Sequence, residues 1–356
     1  MIPTVDLADV AGDRARAAEA LRVGFGHYGL VYVANHGVDP DLVGSLYDRF
    51  ASFSSRPTAE KERFGGADIW FQRGWTPPNT ERAVVAGGQP DFKECYFACA
   101  TDVDPDARAQ YPQIYAENRW PDGLAGFDAQ GFARDYLALG RALHAAGEAL
   151  LRAAAPALGL PDDALVRLIS GGPHVTRILH YLPLSPEQIG TNILWGEEHT
   201  DFNLLTVLPG GRFYAGGKSA PPPDAKSGLY LRTRDGELVR GTPPAGTIVA
   251  QVGQQLEVLT GGTFLATPHV VTPPGMPGIS RMSSAHFVHL HSNEVVFPLP
   301  SFRTPQTCAA YGPPVLAGTY SMKTLVDIGL APPSALDRLG YRHYERLGSI
   351  RAADLR

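Results

Sequence analysis

The sequence contains little cysteine, which limits how the fold can be held together. Three cysteines, Cys95, Cys99 and Cys308, occur among 356 residues. Their odd number and lack of paired spacing argue against a disulfide framework and against a structural zinc site. We therefore expect three buried thiols in a chain that is stabilised by its apolar core.

The sequence also lacks a basic excess, long apolar runs and internal repeats. Lys and Arg number 31 against 36 Asp and Glu, for a net charge of −5, which argues against a nucleic-acid partner. The N-terminus has no basic start followed by an apolar stretch, and no apolar run approaches the ~20 residues of a membrane helix. We expect a cytoplasmic protein without a membrane or nucleic-acid partner.

Residues 1–173 contain several predicted helices together with short strands. A strand, a helix and a second strand are predicted first, over 2–7, 14–29 and 30–37. Asp39 and Pro40 then form an N-cap and N1 pair before a helix whose apolar stripe is Leu42, Val43, Leu46, Tyr47, Phe50 and Phe53. A second long helix is predicted over 132–160, and its lone His144 is typical of a packed core residue. We expect this region to pack on the remainder of the chain.

Residues 174–300 change to short β-prone runs separated by Gly, Pro and Asp. The predicted strands are HVTRILHYL, LLTVLP, GLYLRTRDG, GTIVAQVG, QLEVLTGG, FLATPHVV and SRMSSAHFVHLHS. They indicate a mainly β fold with flanking helices, whose core is a jelly roll, or double-stranded β-helix. The Gly/Pro-rich stretch 209–228 reads as an exposed loop, either a lid or a plain insertion. With a helical segment over 301–356 and no linker, a single domain over 1–356 is predicted.

The stretch EEHTDFNLLTVL carries two metal-seeking side chains. In an extended chain His199 and Asp201 project to the same face, while Thr200 faces away. His269, in another predicted strand, is the candidate third ligand. Two imidazoles and one carboxylate leave open coordination positions, as expected of a non-haem Fe(II) oxygenase and unlike a closed zinc site.

A second pair of side chains is suited to binding an organic acid. Arg281 and Ser283 are again spaced by two, and a guanidinium beside a hydroxyl suits a carboxylate such as the far end of 2-oxoglutarate. Tyr181 shares a strand face with Arg177, and if that face points inward its hydroxyl can donate to the same carboxylate. Arg177 would then either recognise an anionic or polar substrate or form a surface salt bridge.

Several further residues have two interpretations each. His286, His289 and His291 form a cluster that ranks lower as a metal site, although one of the last two could approach the substrate. Phe287 is either a pocket wall or a core residue. Arg73 and Trp75 either close the pocket from the N-terminal side or form a surface cation–π contact.

Together these residues resemble the isopenicillin N synthase-like family of Fe(II) and 2-oxoglutarate-dependent oxygenases. The stretches that match in order and rough spacing are IPTVDL, GFGHYGLVYVANHGV, SSRPTAEKERF, RGWTPPNTERA, PDFKECYF, HTDFNLLTVL, GTIVAQVGQQLEVLTGGTFLATPHVV and RMSSAHF. The resemblance implies a distorted jelly roll. It also implies iron bound by His199, Asp201 and His269, and 2-oxoglutarate held by the group of Arg281, Ser283 and Tyr181.

The same resemblance implies an enzyme, a dioxygenase that oxidises a small molecule with O₂ by hydroxylation, desaturation or cyclisation and releases succinate and CO₂. Leu179 stands where the family often has Asn, and His180 where it often has Tyr. Alternatives are an iron oxidase that holds a substrate carboxylate instead of 2-oxoglutarate, an ethylene-forming type, and a metal-binding sensor without turnover. A monomer that acts in specialised metabolism is expected.

Overall fold

The computed structural model describes residues 1–81, 91–191, 193–224 and 226–337. Its α-helices are α1 (Leu7–Gly12), α2 (Arg14–Val23), α3 (Pro40–Ser54), α4 (Thr58–Lys61), α5 (Pro105–Gln110), α6 (Ala129–Ala157), α7 (Ala164–Arg167), α8 (Gln254–Leu259), α9 (Pro305–Tyr311) and α10 (Ala317–Asp327). Within these ranges, no helix is long and apolar enough to cross a membrane.

The strands are β1 (Thr4–Asp6), β2 (Leu30–Ala34), β3 (Gly74–Thr76), β4 (Lys93–Ala98), β5 (Val175–Tyr181), β6 (Gly196–His199), β7 (Leu205–Leu208), β8 (Gly211–Ala215), β9 (Lys218–Ala220), β10 (Gly228–Arg232), β11 (Leu238–Arg240), β12 (Ile248–Val252), β13 (His269–Thr272), β14 (Ile279–Val288), β15 (Val295–Val296) and β16 (Val315–Leu316). The major sheet has the order β1-β2-β12-β7-β14-β5-β4-β3, with β8 and β9 joined to β14. The minor sheet has the order β11-β10-β13-β6. Every pair is antiparallel except β1 with β2.

The two sheets share an apolar interior. One buried cluster joins Leu179 and Tyr181 of β5 to Val271 of the minor sheet, and includes Trp195 and Phe213. Because side chains alternate along a strand, Ile178 lies on the opposite face of β5 and belongs to a different cluster. The major sheet therefore buries both faces, and its inner face is shared with the minor sheet.

The outer face of the major sheet packs against α3 and α6. Phe50 and Phe53 of α3, Phe132 and Tyr136 of α6 and Ile178 of the sheet belong to one large buried cluster. The predicted N-cap is confirmed, because the Asp39 side chain accepts a hydrogen bond from Asp41 N and Pro40 opens α3. A mainly β core with flanking helices is the observed arrangement.

Two local predictions were wrong. The stretch QLEVLTGG forms helix α8, in which Leu256 and Leu259 are buried one turn apart, so the short apolar run has helical and not strand spacing. The stretch 209–228 was expected to be a loop, but it contains the β8–β9 hairpin. Gly216 and Gly217 both have positive φ at its tip, which is the signature of a two-residue hairpin turn.

The C-terminal prediction is confirmed in part of its range. Helix α10 forms as expected, whereas the predicted continuation over 338–356 lies outside the described residues. Residues 82–90, which include the end of the matching stretch RGWTPPNTERA and the start of PDFKECYF, also lie outside them. The division of the chain into 1–173, 174–300 and 301–356 within one domain stays a prediction.

Three histidines meet in the core between α6 and the major sheet. His144 Nδ1 lies 3.1 Å from His286 Nε2, and Thr176 Oγ1 lies 2.9 Å from His286 Nδ1. His174 Nε2 donates to the carbonyl of Ile169 at 2.9 Å. Burial lowers the pKa of all three imidazoles, so the folded protein holds them neutral. This arrangement fits His144 as a packed core residue.

The histidine cluster should make stability depend on pH. Unfolded histidines bind protons below about pH 6.5, while His174 and His286 stay neutral in the fold. Their contribution to stability is therefore complete above that pH and is lost as the pH falls. Each adds at most about 1.4 kcal/mol per pH unit to the slope of the free energy of unfolding. Urea unfolding at a series of pH values measures this slope.

The variant His286→Asn supplies the control for this prediction. It removes one titrating group and keeps a polar atom near Thr176, so the slope should become shallower. The matched substitution His27→Asn changes a histidine whose side chain is 38% exposed, and should leave the slope as it is. Identical slopes for the parent protein and His286→Asn would contradict the assignment.

Candidate metal centre and active site

Antiparallel pairing of β6 with β13 sets the candidate metal ligands opposite each other. His199 and His269 are Cα partners, and their ring centroids lie 4.4 Å apart. Asp201 follows β6, and its Oδ1 lies 3.7 Å from His199 Nε2 and 3.9 Å from His269 Nε2. One ligand atom from each residue lies within 4.8 Å of the others. The structure thus brings together the three residues predicted to bind iron.

Neighbouring groups orient these side chains through their remaining polar atoms. His199 Nδ1 donates to the carbonyl of Glu197 at 2.6 Å, which leaves Nε2 as the coordinating nitrogen. Thr206 donates its hydroxyl to Asp201 Oδ2 at 2.6 Å, so Oδ1 faces the histidines. Gln251 Nε2 lies 2.7 Å from His269 Nδ1, and the carbonyl oxygen of Thr267 lies 3.4 Å from the same ring nitrogen. Such contacts fix the tautomer and direction of metal ligands.

The electrostatics of the three residues also fit a metal. Burial would raise the pKa of Asp201, but His269, His199 and the Thr206 hydrogen bond outweigh it and hold that pKa below its ordinary value. Burial lowers the pKa of His269 to about 4. At neutral pH the group therefore offers an ionised carboxylate and a neutral imidazole, which are the forms that bind metals. Within the described ranges, these residues form the sole cluster with metal-ligand spacing.

The predicted organic-acid site lies across β5 and β14 of the major sheet. Arg281 is the Cα partner of Tyr181, and Ser283 is the partner of Leu179. The Arg281 guanidinium lies 5.4 Å from the centre of the Tyr181 ring, which stacks on Trp195 at 5.4 Å. Among the described residues, the polar side-chain atoms of Arg281, Ser283 and Tyr181 have no hydrogen-bond partner. The structure brings these three side chains to one inward face.

The position of Gly211 helps to hold this arginine. A Cβ atom at Gly211 would lie about 2.5 Å from the Arg281 guanidinium, which is closer than real Cβ contacts allow. A larger residue where β8 passes β14 would therefore displace the Arg281 guanidinium. The hairpin that was expected to be a loop forms one wall beside the organic-acid site.

A cavity of about 150 Å³ opens next to the metal ligands. His199 and Asp201 line it on one side, and Arg177 and Phe287 line it as well. His289 also faces it; its Nδ1 is buried without a hydrogen-bond partner, and burial lowers its pKa to about 3. Helix α10 and the turn after it supply the apolar wall, through Leu325, Ile328 and Leu330.

Other predicted residues lie elsewhere. Trp75 donates its indole N–H to Glu94 at 2.7 Å, within a buried network on the outer side of β4. Arg73 is buried and donates to the carbonyls of Gln72 and Ile114. Neither lines the cavity, so the structure does not bring them to the metal ligands. His291 contacts Asp104 at 3.0 Å instead of pairing with His289.

A charged group that was not predicted from the sequence lines the same cavity. Glu81, Asp91 and Lys93 line it, and Glu81 contacts both Lys93 and Arg177. A signal was available in the stretch PDFKECYF, where Asp91 and Lys93 alternate before an apolar strand. Thr206 and Gln251 were missed for another reason: polar residues inside β-prone runs have no local sign that they contact a metal ligand.

The C-terminal helix is hydrogen-bonded to the metal-binding segment. Tyr320 of α10 donates to the side chain of Gln254, which donates in turn to Thr200 Oγ1 at 2.6 Å. Gln254 N also donates to the carbonyl of Asp201 at 2.8 Å. Hydrogen bonds therefore connect the cavity wall formed by α10 to the segment that carries His199 and Asp201.

Comparison with known proteins matches both halves of the chain. Residues 173–290 match the 2OG-Fe(II) oxygenase superfamily, and residues 2–123 match the N-terminal region of non-haem dioxygenases in morphine synthesis. A homoarginine-6-hydroxylase of Oryza sativa subsp. japonica is 27% identical over 286 residues, 76% of this chain and 80% of that protein. The 2-oxoglutarate-dependent dioxygenase imqE of Aspergillus flavus is 28% identical over 353 residues, 87% of this chain and 90% of that protein.

Solved structures show the same fold. A 2OG-Fe(II) oxygenase family protein from Caulobacter crescentus superposes with a TM-score of 0.74 at 26% identity, covering 92% of this chain and 99% of that one. A rice dioxygenase for auxin oxidation superposes with a TM-score of 0.64 at 20% identity, covering 94% and 98%. The predicted double-stranded β-helix core is confirmed. The fold and site define a non-haem oxygenase, and the chain belongs to the Fe(II) and 2-oxoglutarate-dependent oxygenase family.

The hydroxyl of Thr206 should strengthen metal binding although it contacts no metal. Thr206→Val keeps the shape of the side chain but removes the hydrogen bond to Asp201. Loss of such an orienting contact should weaken Fe(II) binding by about 10- to 100-fold. Anaerobic metal titration followed by calorimetry measures the affinity. Thr191→Val, on the exposed surface, is the matched control, and equal affinities in the two variants would refute this role.

Proposed function

We propose that His199, Asp201 and His269 bind the iron(II) of this oxygenase, and that the enzyme oxidises a small molecule at the adjoining cavity. The observation that carries the assignment is the convergence of three ligand atoms within 4.8 Å, from two strands of the minor sheet and from Asp201, two residues beyond one of them. The buried carboxylate and the two oriented imidazoles are the donor set that such iron sites use.

The organic-acid site supplies the second part of the proposal. Arg281, Ser283 and Tyr181 would hold the far carboxylate of 2-oxoglutarate, because they present a guanidinium and two hydroxyls on one inward face. Iron, 2-oxoglutarate and O₂ would together supply, when bound, an oxidant that removes a hydrogen atom from a C–H bond: one oxygen atom of O₂ would leave in succinate as 2-oxoglutarate loses CO₂, and the other would remain for the substrate. The protein contributes the positions of both groups and a cavity that shields the reaction from water.

The substrate would lie between the metal ligands and the side chains on the opposite wall. Arg177, Phe287 and His289 line the cavity, and they can contact a bound molecule from β5 and from the end of β14. Hydroxylation, desaturation and cyclisation all begin with the same hydrogen abstraction, and the placement of the substrate radical selects among them. A monomeric state, a cytoplasmic location and a place in specialised metabolism remain predictions.

Removal of a proposed metal ligand should abolish turnover. His199→Ala and Asp201→Ala should each eliminate Fe(II)-dependent conversion of 2-oxoglutarate to succinate, because two ligands retain the metal poorly. Succinate is quantified with and without Fe(II), and circular dichroism verifies that the variants fold. The surface substitution His27→Ala is the control. Near-normal rates in both ligand variants would overturn the assignment.

Succinate measurement also tests the alternatives from sequence. An oxidase that does not use 2-oxoglutarate would consume O₂ without forming succinate. A metal-binding sensor would do neither. Comparable amounts of succinate and oxidised product are expected from the proposed enzyme.

Arg281 should determine the affinity for 2-oxoglutarate. Arg281→Ala removes one charge-assisted pair, worth roughly 1.5–3 kcal/mol, so 2-oxoglutarate should bind about 10- to 100-fold more weakly. The affinity is measured by anaerobic titration of the metal-loaded protein. Arg167→Ala, which removes an arginine with a side chain 68% exposed, should leave it unaltered. An unchanged affinity in Arg281→Ala would contradict the role of this residue.

A further inference from the structure

Arg177 stands at the end of a chain of alternating charges that lines the cavity. Lys93 Nζ contacts Asp91 and lies 3.0 Å from Glu81 Oε2, and Arg177 Nη1 lies 3.1 Å from the same Glu81 oxygen. Burial would raise the pKa of Glu81, but Lys93 and Arg177 lower it to about 2. From Asp91 through Lys93 and Glu81 to Arg177, the charges are therefore negative, positive, negative and positive. The series ends at the Arg177 guanidinium.

Two aromatic rings and Glu81 limit how a ligand can reach that guanidinium. Its carbon lies 5.6 Å from the centre of the Phe97 ring and 5.1 Å from that of Phe287. Phe97 comes from β4 and Phe287 from β14, the strands on either side of β5, so the rings approach from two sides. With Nη1 directed to Glu81, the edge formed by Nε and Nη2 remains.

This edge has no hydrogen-bond partner among the described residues. Arg177 Nε is buried and unpaired, and no hydrogen bond of Nη2 is found within the same residues. A buried donor without a partner destabilises a protein, and such groups are uncommon in native structures. The Nε and Nη2 groups point in parallel in the guanidinium plane, which is the geometry that binds both oxygens of a carboxylate.

We propose that the substrate of this oxygenase carries a carboxylate, which docks on the Nε and Nη2 edge of Arg177 by a small adjustment of that side chain. The inference rests on the proposed function, since it places this substrate in the cavity beside His199 and Asp201. A carboxylate continues the alternation of charges, because it would be the negative group after the positive Arg177. An ammonium group would instead be repelled by the guanidinium, since both are positive. The flat group also fits a space bordered by two rings, which a tetrahedral phosphate fits less well.

The remainder of the cavity suits a carbon skeleton attached to that acid. Val175, Phe202 and Phe287 provide apolar surface, and the neutral imidazole of His289 is available for one uncharged polar group. Arg281 and its neighbours bind a different carboxylate, that of 2-oxoglutarate, on the same sheet. The two arginines therefore assign the two acids to separate positions, with Arg177 determining substrate specificity.

Formate is the smallest carboxylate that tests this edge directly. The protein is loaded with zinc in place of iron and with saturating 2-oxoglutarate, so that the Arg281 site is filled. Isotope-labelled arginine gives an NMR signal for each Nε–H group, and the Arg177 signal is the one missing in Arg177→Lys. Sodium formate, formamide and sodium chloride are then titrated at matched ionic strength.

Formate should shift the Arg177 Nε–H signal along a saturating curve, and formamide should need about a tenfold higher concentration for the same shift. Chloride should not reproduce the shift. The variant Arg14→Gln removes an exposed arginine that is distant from Arg177 in the sequence. Its Arg177 signal should shift with formate as it does in the parent protein. An Arg177 signal that ignores formate, or that responds equally to formamide or chloride, overturns the proposal.

The result is independent of turnover. Zinc makes the protein redox-inert, so the titration reports on the edge of Arg177 even if no succinate is formed with iron. Failure of the iron assignment would appear in the succinate measurement, whereas failure of the carboxylate inference would appear in the formate titration alone.

Discussion

The register of β6 against β13 is the constraint on which the rest of this structure depends. It sets His199 directly across from His269, and the carboxylate of Asp201 lies close to both imidazoles because it comes two residues after the end of β6. A slip of one residue would turn one imidazole to the other face of the minor sheet, since side chains alternate along a strand. The hydrogen bonds from neighbouring groups refine the direction of each ligand, but only after the pairing has brought the side chains together.

The major sheet carries the residues proposed for recognition, and the minor sheet carries the two histidines proposed as metal ligands. Strands β5 and β14 carry Tyr181 and Arg281 at one paired position and Arg177 four pairs further along, on the same face, so one surface presents two arginines. The first has no anionic partner among the described residues, whereas the second is joined to Glu81. This division separates the proposed organic-acid site from the wall of the cavity, and Arg177 lines that cavity together with His199 and Asp201.

Buried charge in this cavity is tolerated because it is balanced. Glu81, Asp91, Lys93 and Arg177 would each be costly alone in an apolar interior, but together they contain equal numbers of positive and negative groups in contact. The core histidines are accommodated differently. His174 and His286 form hydrogen bonds with Ile169 and Thr176, and burial keeps their imidazoles neutral. In these two clusters, buried polar groups are thus either paired with opposite charges or held uncharged.

The sequence by itself determined which residues share a face: the pair His199 and Asp201, the pair Arg281 and Ser283, and the Asp39 cap of α3. These are local properties, because strand alternation and helix capping depend only on nearby residues. The sequence could not place Arg73 and Trp75, which face other parts of the protein, or foresee the contacts of Glu81, Lys93 and Thr206. Only the tertiary structure decided these, since the distance between two side chains from remote segments is set by strand pairing and packing, which no local pattern encodes.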